Sequence, residues 1–264
     1  MKRILHISDL HFGRLIPEVA DALKQKIIAL NPELIVISGD LTQRAKTSEF
    51  IQAANFLNDL PSPYLIIPGN HDLSTFRLHE RFLYPWKKWQ RFIAADLEPA
   101  TETAAYKVIG INTARRIGHS SDWSRGRIDA SQIKRVQDFF ASASAQQIRI
   151  LVAHHPFWLP TGHEHRGLIG GADPAIEKFQ DNGPDIILSG HVHLDYCHVH
   201  GGIIVSHAGT TTSDRLLEGY PNSFNMLEVQ PEHILISRYH WSKGEFAYLT
   251  KQSFIKQSDG WYEQ

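Results

Sequence analysis

Five short segments of this chain concentrate aspartate, asparagine and histidine: Asp9-Leu10-His11, Gly39-Asp40, Gly69-Asn70-His71-Asp72, His154-His155 and Gly190-His191-Val192-His193. Carboxylate oxygens and imidazole nitrogens without a thiolate form a donor set suited to manganese, iron or zinc. A carboxylate carries lone pairs on both oxygens and can span two cations. Asn70 adds a neutral oxygen ligand, which leaves such a site net positive and attractive to phosphate. In His191-Val192-His193, alternate residues of an extended segment point the same way, so both rings can reach one cluster. Two cations about 3.5–4 Å apart can share a hydroxide of lowered pKa while binding phosphoryl oxygens. Singly, an Asp-x-His or a Gly-Asp is ordinary turn chemistry. Five such segments, each following an apolar run, are not explained by turns.

The elements that must position these residues are short β-branched runs at 3–8, 34–38, 64–67, 107–111, 148–152 and 185–188, with the composition of buried strands. Between them lie helical patterns. Val19, Leu23, Ile27 and Leu30 share one face until Asn31-Pro32 stops the helix. Phe50, Ala53, Ala54, Leu57 and Leu60 do the same over 47–60. Asp129-Ala130-Ser131-Gln132 reads as a capping box ahead of Ile133, Val136, Phe139 and Phe140. Alternating strands and helices predict βαβ units, whose ligands bind at the carboxyl ends of the strands. From about Asp195 the helices cease. Runs at 201–205, 224–229, 233–239 and 245–249, with Lys243-Gly244 as a hairpin turn, predict a second, mostly antiparallel sheet packed face to face on the first. No linker or repeat interrupts the chain, which reads as one domain over 1–264.

In their order, the five segments are similar to the motifs of the calcineurin-like metallophosphoesterases, and the chain resembles that family over roughly residues 9–193. The resemblance implies an α/β fold of four layers, an α/β/β/α sandwich in which two mixed sheets pack face to face with helices on both outer faces. It implies two divalent metal ions. Asp40 would bridge them, with Asp9, His11 and His193 completing one and Asn70, His154 and His191 the other. His71 would stabilise the phosphoryl charge or protonate the leaving oxygen. Asp72 would accept from the other ring nitrogen of His71, unless it caps a helix instead. His155 reads either as a residue that orients a metal ligand or, preferably, as a merely buried neighbour, and His207 sits where the family places substrate-side contacts. Among the branches of the family, Gly39-Asp40-Leu41-Thr42-Gln43-Arg44 departs from the Gly-Asp-x-Val-Asp-Arg-Gly of the protein phosphatases. The intact Asn70-His71 pair departs from the lipid A-pathway pyrophosphatases. The motifs look like those of the bacterial class III cyclic nucleotide phosphodiesterases, so a small phosphodiester such as a cyclic nucleotide is the expected substrate, with a nuclease or a phosphomonoesterase of the same fold as the alternative. A scaffold without activity is disfavoured because every ligand and His71 are present.

Bulk properties bound the partners. A formal net charge of −1 disfavours nucleic acid as the main partner. Cys197 is the sole cysteine, which excludes an intrachain disulfide. No apolar run approaches the length of a membrane span, and the N-terminus carries no signal-peptide core, so a cytoplasmic enzyme is expected, with a homodimer through an edge strand conceivable. The loop after His154 carries His163 and His165 and is expected to pass the cleft. Residues 73–99 interleave Arg77, Arg81, Lys87, Lys88 and Arg91 with Phe76, Phe82, Tyr84, Trp86 and Trp89. That segment reads as a helical lid insertion or, more simply, as an amphipathic helix with a solvated basic face. Arg115-Arg116 and Arg125-Gly126-Arg127 could reach a phosphate, although surface charge is the commoner fate. His6 is expected in the core, and His79, His119, His198, His200, His233 and His240 in surface or packing roles.

Overall fold

The chain begins with β1 (Lys2–Ile7), α1 (Pro17–Leu30), β2 (Leu34–Ile37), α2 (Thr47–Asn58) and β3 (Tyr64–Ile66). The computed structural model describes residues 1–74, 77–117 and 124–264; Phe76 and His119 lie outside the described residues. Then follow α3 (Leu78–Leu83), α4 (Lys87–Phe92), β4 (Ala100–Glu102), β5 (Tyr106–Ile111), α5 (Ala130–Phe140), β6 (Ile148–Ala153), α6 (Ala172–Lys178) and β7 (Ile186–Ser189). β8 (Tyr196–His200), β9 (Ile203–His207), β10 (Ser223–Gln230), β11 (His233–Ser242), β12 (Glu245–Gln257) and β13 (Gly260–Glu263) complete it.

Among the described residues, these strands form two mixed sheets, β13-β12-β11-β10-β1-β2-β3 and β4-β5-β6-β7-β9-β8. The period of two in each strand fixes the layers. Ile4 of β1, Val36 of β2, Ile150 and Val152 of β6 and Ile186 and Leu188 of β7 meet in the apolar layer between the sheets. Their neighbours Leu5, Ile7, Ile35 and Ile37 face outward onto Val19, Leu23 and Ile27 of α1 and Phe50 and Ala53 of α2. On the opposite outer face Leu151, Ala153 and Ile187 pack against Ile133, Val136 and Phe140 of α5 and Ala175 and Ile176 of α6. This is the expected order of helix, sheet, sheet and helix.

Local signals account for the helix ends. Pro17 opens α1, and Asn31 closes it at φ 45°, a left-handed conformation that asparagine tolerates. The Asp129 side chain accepts from the Gln132 amide at 3.0 Å while Gln132 Oε1 accepts from the Asp129 amide, the predicted capping box.

Strand partnership differs from expectation. The C-terminal strands do not make a sheet of their own. β10 pairs antiparallel with β1, Lys2 opposite Val229, and so extends the sheet that contains β1–β3. β5, β6 and β7, expected beside them, form the second sheet, and β9 joins β7 in parallel with Ser189 opposite His207. Alternation of apolar residues says which face is buried but not which strand lies alongside. Residues 208–222 therefore cross from the second sheet to the first, past the carboxyl ends of β1 and β7.

The 73–99 segment is helical over α3 and α4. Trp89 is fully buried in the layer under α2, and Arg81 is buried with its guanidinium donating to the carbonyls of Arg115 and Arg116. No helix among the described residues is long and apolar enough to cross a membrane.

Candidate metal centre

The loops after β1, β2, β3, β6 and β7 converge, and all seven predicted ligands come together at one end of the sandwich. Asp9 and His11 are fully buried, as is His154. His193 Nε2 lies 3.3 Å from Asp9 Oδ1, and His11 Nε2 lies 3.6 Å from the same oxygen. On the other side, His154 Nε2 is 3.2 Å from Asp40 Oδ1 and 3.2 Å from Asn70 Oδ1. The second oxygen of Asp40 faces His11 Nε2 at 3.8 Å. The Asp40 carboxylate thus turns one oxygen to each group, the placement a bridge requires. His191 joins through its ring, centred 5.2 Å from that of His154.

The backbone enforces this convergence. Asp9, His11, Asp40, His191 and His193 all have φ between 46° and 72°. Left-handed backbone costs a residue with a Cβ roughly 1–2 kcal/mol, so its recurrence here marks a constrained site. The expectation that His191-Val192-His193 is extended is therefore corrected. It is a tight turn, with the Val192 amide donating to the Gly190 carbonyl at 2.9 Å, and its two imidazoles go to opposite sides of the centre.

Hydrogen bonds set the ring orientations. Nδ1 of His154 donates to the Ser38 carbonyl at 2.7 Å, and Nδ1 of His193 to the Arg215 carbonyl at 2.7 Å. His11 directs Nδ1 at the Thr42 carbonyl, 3.4 Å away. A carbonyl only accepts, so the hydrogen sits on Nδ1 in each ring, and the Nε2 lone pairs of the neutral rings face the carboxylates and one another. His11 Nε2 and His193 Nε2 are 3.3 Å apart, and Asp9 Oδ1 is buried with no hydrogen-bond donor. Acceptors facing acceptors in a buried site repel unless cations lie between them. Oxygen and imidazole donors in this arrangement fit two divalent ions.

Electrostatics point the same way. Burial alone would raise the Asp9 and Asp40 carboxyls, but the surrounding histidines hold both well below the usual carboxylate range. Burial pushes the His154 imidazole down, yet the Asp40 charge overrides it and holds that ring up at about 9. A cation bound at Nε2 takes the place of the second proton that the Asp40 charge would otherwise draw onto this ring. Burial lowers His11 and takes His191 down to about 3, which suits lone-pair donors.

A cleft of about 410 Å³ opens from this centre, lined by Asp40, Asn70, His71, Arg166, His191, His193 and Arg215 among others. His71 faces it. Its Nδ1 donates to the Gln43 carbonyl at 2.8 Å, and its Nε2 accepts from Arg215 Nη1 at 2.9 Å. Asp72 therefore does not accept from the His71 ring, and that expected role is corrected. Its buried carboxylate accepts from the amides of Leu41, Thr42 and Gly69 and from the Thr42 hydroxyl, tying the loop after β2 to the loop after β3.

The expected substrate contacts are also corrected. His207 is fully buried in β9, stacked on Tyr196 at 4.3 Å, and does not reach the cleft. The loop after His154 does reach it, but through Arg166; neither His163 nor His165 lines it. No described residue of 73–99 lines it either, and of the Arg115 and Arg125 pairs neither does. His155 touches the rings of His154 and His191, but Thr113 and the Ser124 carbonyl take both its nitrogens, leaving a buried neutral ring pushed well down by burial. His6 bonds Ser38 in the core, His240 pairs with Asp195, and His198 stacks on Trp158. Sequence reasoning missed Arg215 altogether. It sits in the 208–222 crossover, and its only signal was position shortly after the last histidine motif.

Comparison with known proteins agrees with this geometry. The family model for calcineurin-like phosphoesterases matches residues 2–195, and the chain belongs to that family. A UDP-2,3-diacylglucosamine pyrophosphatase LpxG of Chlamydia muridarum is 35% identical over 77 residues, 28% of this chain and 23% of that protein. A probable cyclic nucleotide phosphodiesterase of Fibrobacter succinogenes is 39% identical over 79 residues, 26% of this chain and 30% of that protein. The matched stretch thus spans less than a third of either relative. Among solved structures, a dimetal phosphatase from Danio rerio superposes with a TM-score of 0.68 at 11% identity, over 94% of this chain and 98% of its own. A purple acid phosphatase from yellow lupin superposes with 0.65 at 16% identity, over 94% and 52%. The family acts on phosphoesters through a dinuclear metal centre.

Proposed function

We propose that the protein is a two-metal hydrolase of phosphodiester bonds in small substrates. Asp9, His11, Asp40 and His193 would hold one ion, and Asp40, Asn70, His154 and His191 the other. The observation that carries this reading is the set of Nε2 lone pairs converging on both faces of the Asp40 carboxylate at the floor of an open cleft. Two divalent ions bound there supply Lewis-acid polarisation of the phosphoryl group and acidify the attacking water. The chain's own residues do the rest. His71 faces the substrate side from the Asn70 turn, held by the Gln43 carbonyl, and Arg166 and Arg215 offer positive charge to the phosphoryl oxygens. Hydrophobic burial behind the site keeps the donors rigid, so little reorganisation is needed on binding.

The names of the two relatives support a bond between phosphorus and a bridging oxygen, one in a cyclic diester and one in a pyrophosphate link. The test uses protein reconstituted with manganese, iron or zinc. Bis(p-nitrophenyl) phosphate should be hydrolysed faster than p-nitrophenyl phosphate, and Asp40→Ala should remove the activity by roughly 10³-fold or more. Absence of turnover with every metal would defeat the proposal.

A further inference from the structure

A second cavity, of about 370 Å³, opens at the start of α2 and shares no lining residue with the metal cleft. Arg44, Lys46, Thr47, Ser48, Arg77 and Lys88 line it, and among the described residues no carboxylate does. The carboxylates nearby are already divided. Glu80 accepts from both Arg77 Nη1 at 2.9 Å and Lys88 Nζ at 2.7 Å. Glu49 spends Oε2 on the amides of Arg44 and Lys46, and its Oε1 stays 3.9 Å from Lys46 Nζ. The lining is therefore net positive.

The helix adds to that charge. The first turn of a helix carries partial positive charge on amides that lack an intrahelical acceptor, which ordinarily disfavours basic residues there. Here Lys46 holds the N-cap position, and a lysine side chain has no acceptor to offer, so it does not cap α2. An oxyanion placed at this point meets helix amides, an ammonium and a guanidinium together, the combination that holds phosphate.

An adjoining cavity of about 300 Å³ supplies a second, independent observation. Ala45, Ser74 and Lys88 line both. Its character differs, for Tyr84 and Pro85 give it an apolar wall and Glu80 an acceptor oxygen. Tyr84 is 60% exposed, with Lys87 Nζ 5.4 Å from its ring centre. An aromatic ring left open beside a cationic hollow suits stacking with a planar heterocycle.

We propose that the two adjoining cavities form one binding site for a nucleoside monophosphate, its phosphate among Lys46, Arg77 and Lys88 and its base against Tyr84. The pairing sets the class. A free phosphate leaves the aromatic part empty, and a nucleoside leaves the cationic part without an anion. Glu80, between Arg77 and Lys88, is the acceptor for sugar hydroxyls. The site uses neither the metal ions nor the cleft, so it stands or falls apart from the hydrolase reading.

Full-length, manganese-loaded protein is titrated by calorimetry with AMP, adenosine and inorganic phosphate, alongside the Asp40→Ala variant, in which the metal centre is disabled. AMP is expected to bind Asp40→Ala as tightly as the parent chain at this site, and at least about tenfold more tightly than adenosine or phosphate. In the Asp40→Ala background, Lys46→Ala, Arg77→Ala and Tyr84→Ala should each weaken AMP about tenfold. All three side chains are largely exposed, so their loss leaves the fold intact. Crystals soaked with 8-bromo-AMP should show a bromine anomalous peak beside Tyr84. The proposal is overturned if Asp40→Ala abolishes AMP binding, if AMP binds no tighter than phosphate, if the affinity ignores Lys46 and Arg77, or if bromine appears only in the metal cleft.

Discussion

Gly69 lies against Asp40 so closely that a Cβ there would fall 2.2 Å from Asp40 Oδ1 and 2.3 Å from the Asp40 amide. Neither atom can yield, since one belongs to the proposed bridge and the other to the backbone. Gly69→Ala should therefore tilt the carboxylate and weaken metal binding by roughly 10–100-fold, the scale on which disturbed ligand orientation acts. Competition with a chromogenic chelator measures it, and unchanged affinity would show that the Asp40 carboxylate is not a ligand. At this scale the donor residues were legible in the sequence, because Asp, Asn and His at strand ends advertise themselves by type. Their conformations were not. Extended backbone was the natural expectation for His191 and His193, and only the fold shows the left-handed turn that sends the two rings apart. Arg215 was illegible for another reason: a lone arginine in a long loop has no periodicity or partner to single it out.

Among the elements, β7 begins beside a buried charge that locks three strands together. Asp185 accepts from the Arg149 guanidinium of β6, from Lys256 Nζ of β12 at 2.7 Å and from the Trp261 indole of β13 at 3.0 Å. The cluster joins the two sheets at the end opposite the metal centre. Burial would raise this carboxyl, but Arg149 and Lys256 override it and hold it below its usual value. A carboxyl depressed in the fold contributes its full stability above the unfolded value near 3.9 and loses it as the pH falls through the folded value. Urea unfolding of the intact protein should thus show this contribution disappearing only below about pH 4. Asp185→Asn should cost about 3 kcal/mol at neutral pH and flatten that acid limb. An equally steep limb in the variant would assign it to other groups. Strand and helix positions were largely readable from apolar spacing, as α1, α2 and α5 illustrate. The pairing of β10 with β1 was not, because any strand with the right buried face satisfies the same pattern.

For the whole molecule, the sandwich acts as a frame that brings five loops from both sheets to one end. β1–β3 supply Asp9, His11, Asp40 and Asn70, β6 and β7 supply the remaining histidines, and the crossover to β10 carries Arg215 over them. Neither sheet alone holds all seven proposed donors, so the proposed centre forms only where the two pack. The most direct test is diffraction at the manganese absorption edge from crystals grown with manganese. Two anomalous peaks are predicted, one on each side of the Asp40 carboxylate, with His11 and His193 at one and His154 and His191 at the other. A single peak, or two peaks with Asp40 touching neither, would contradict the account.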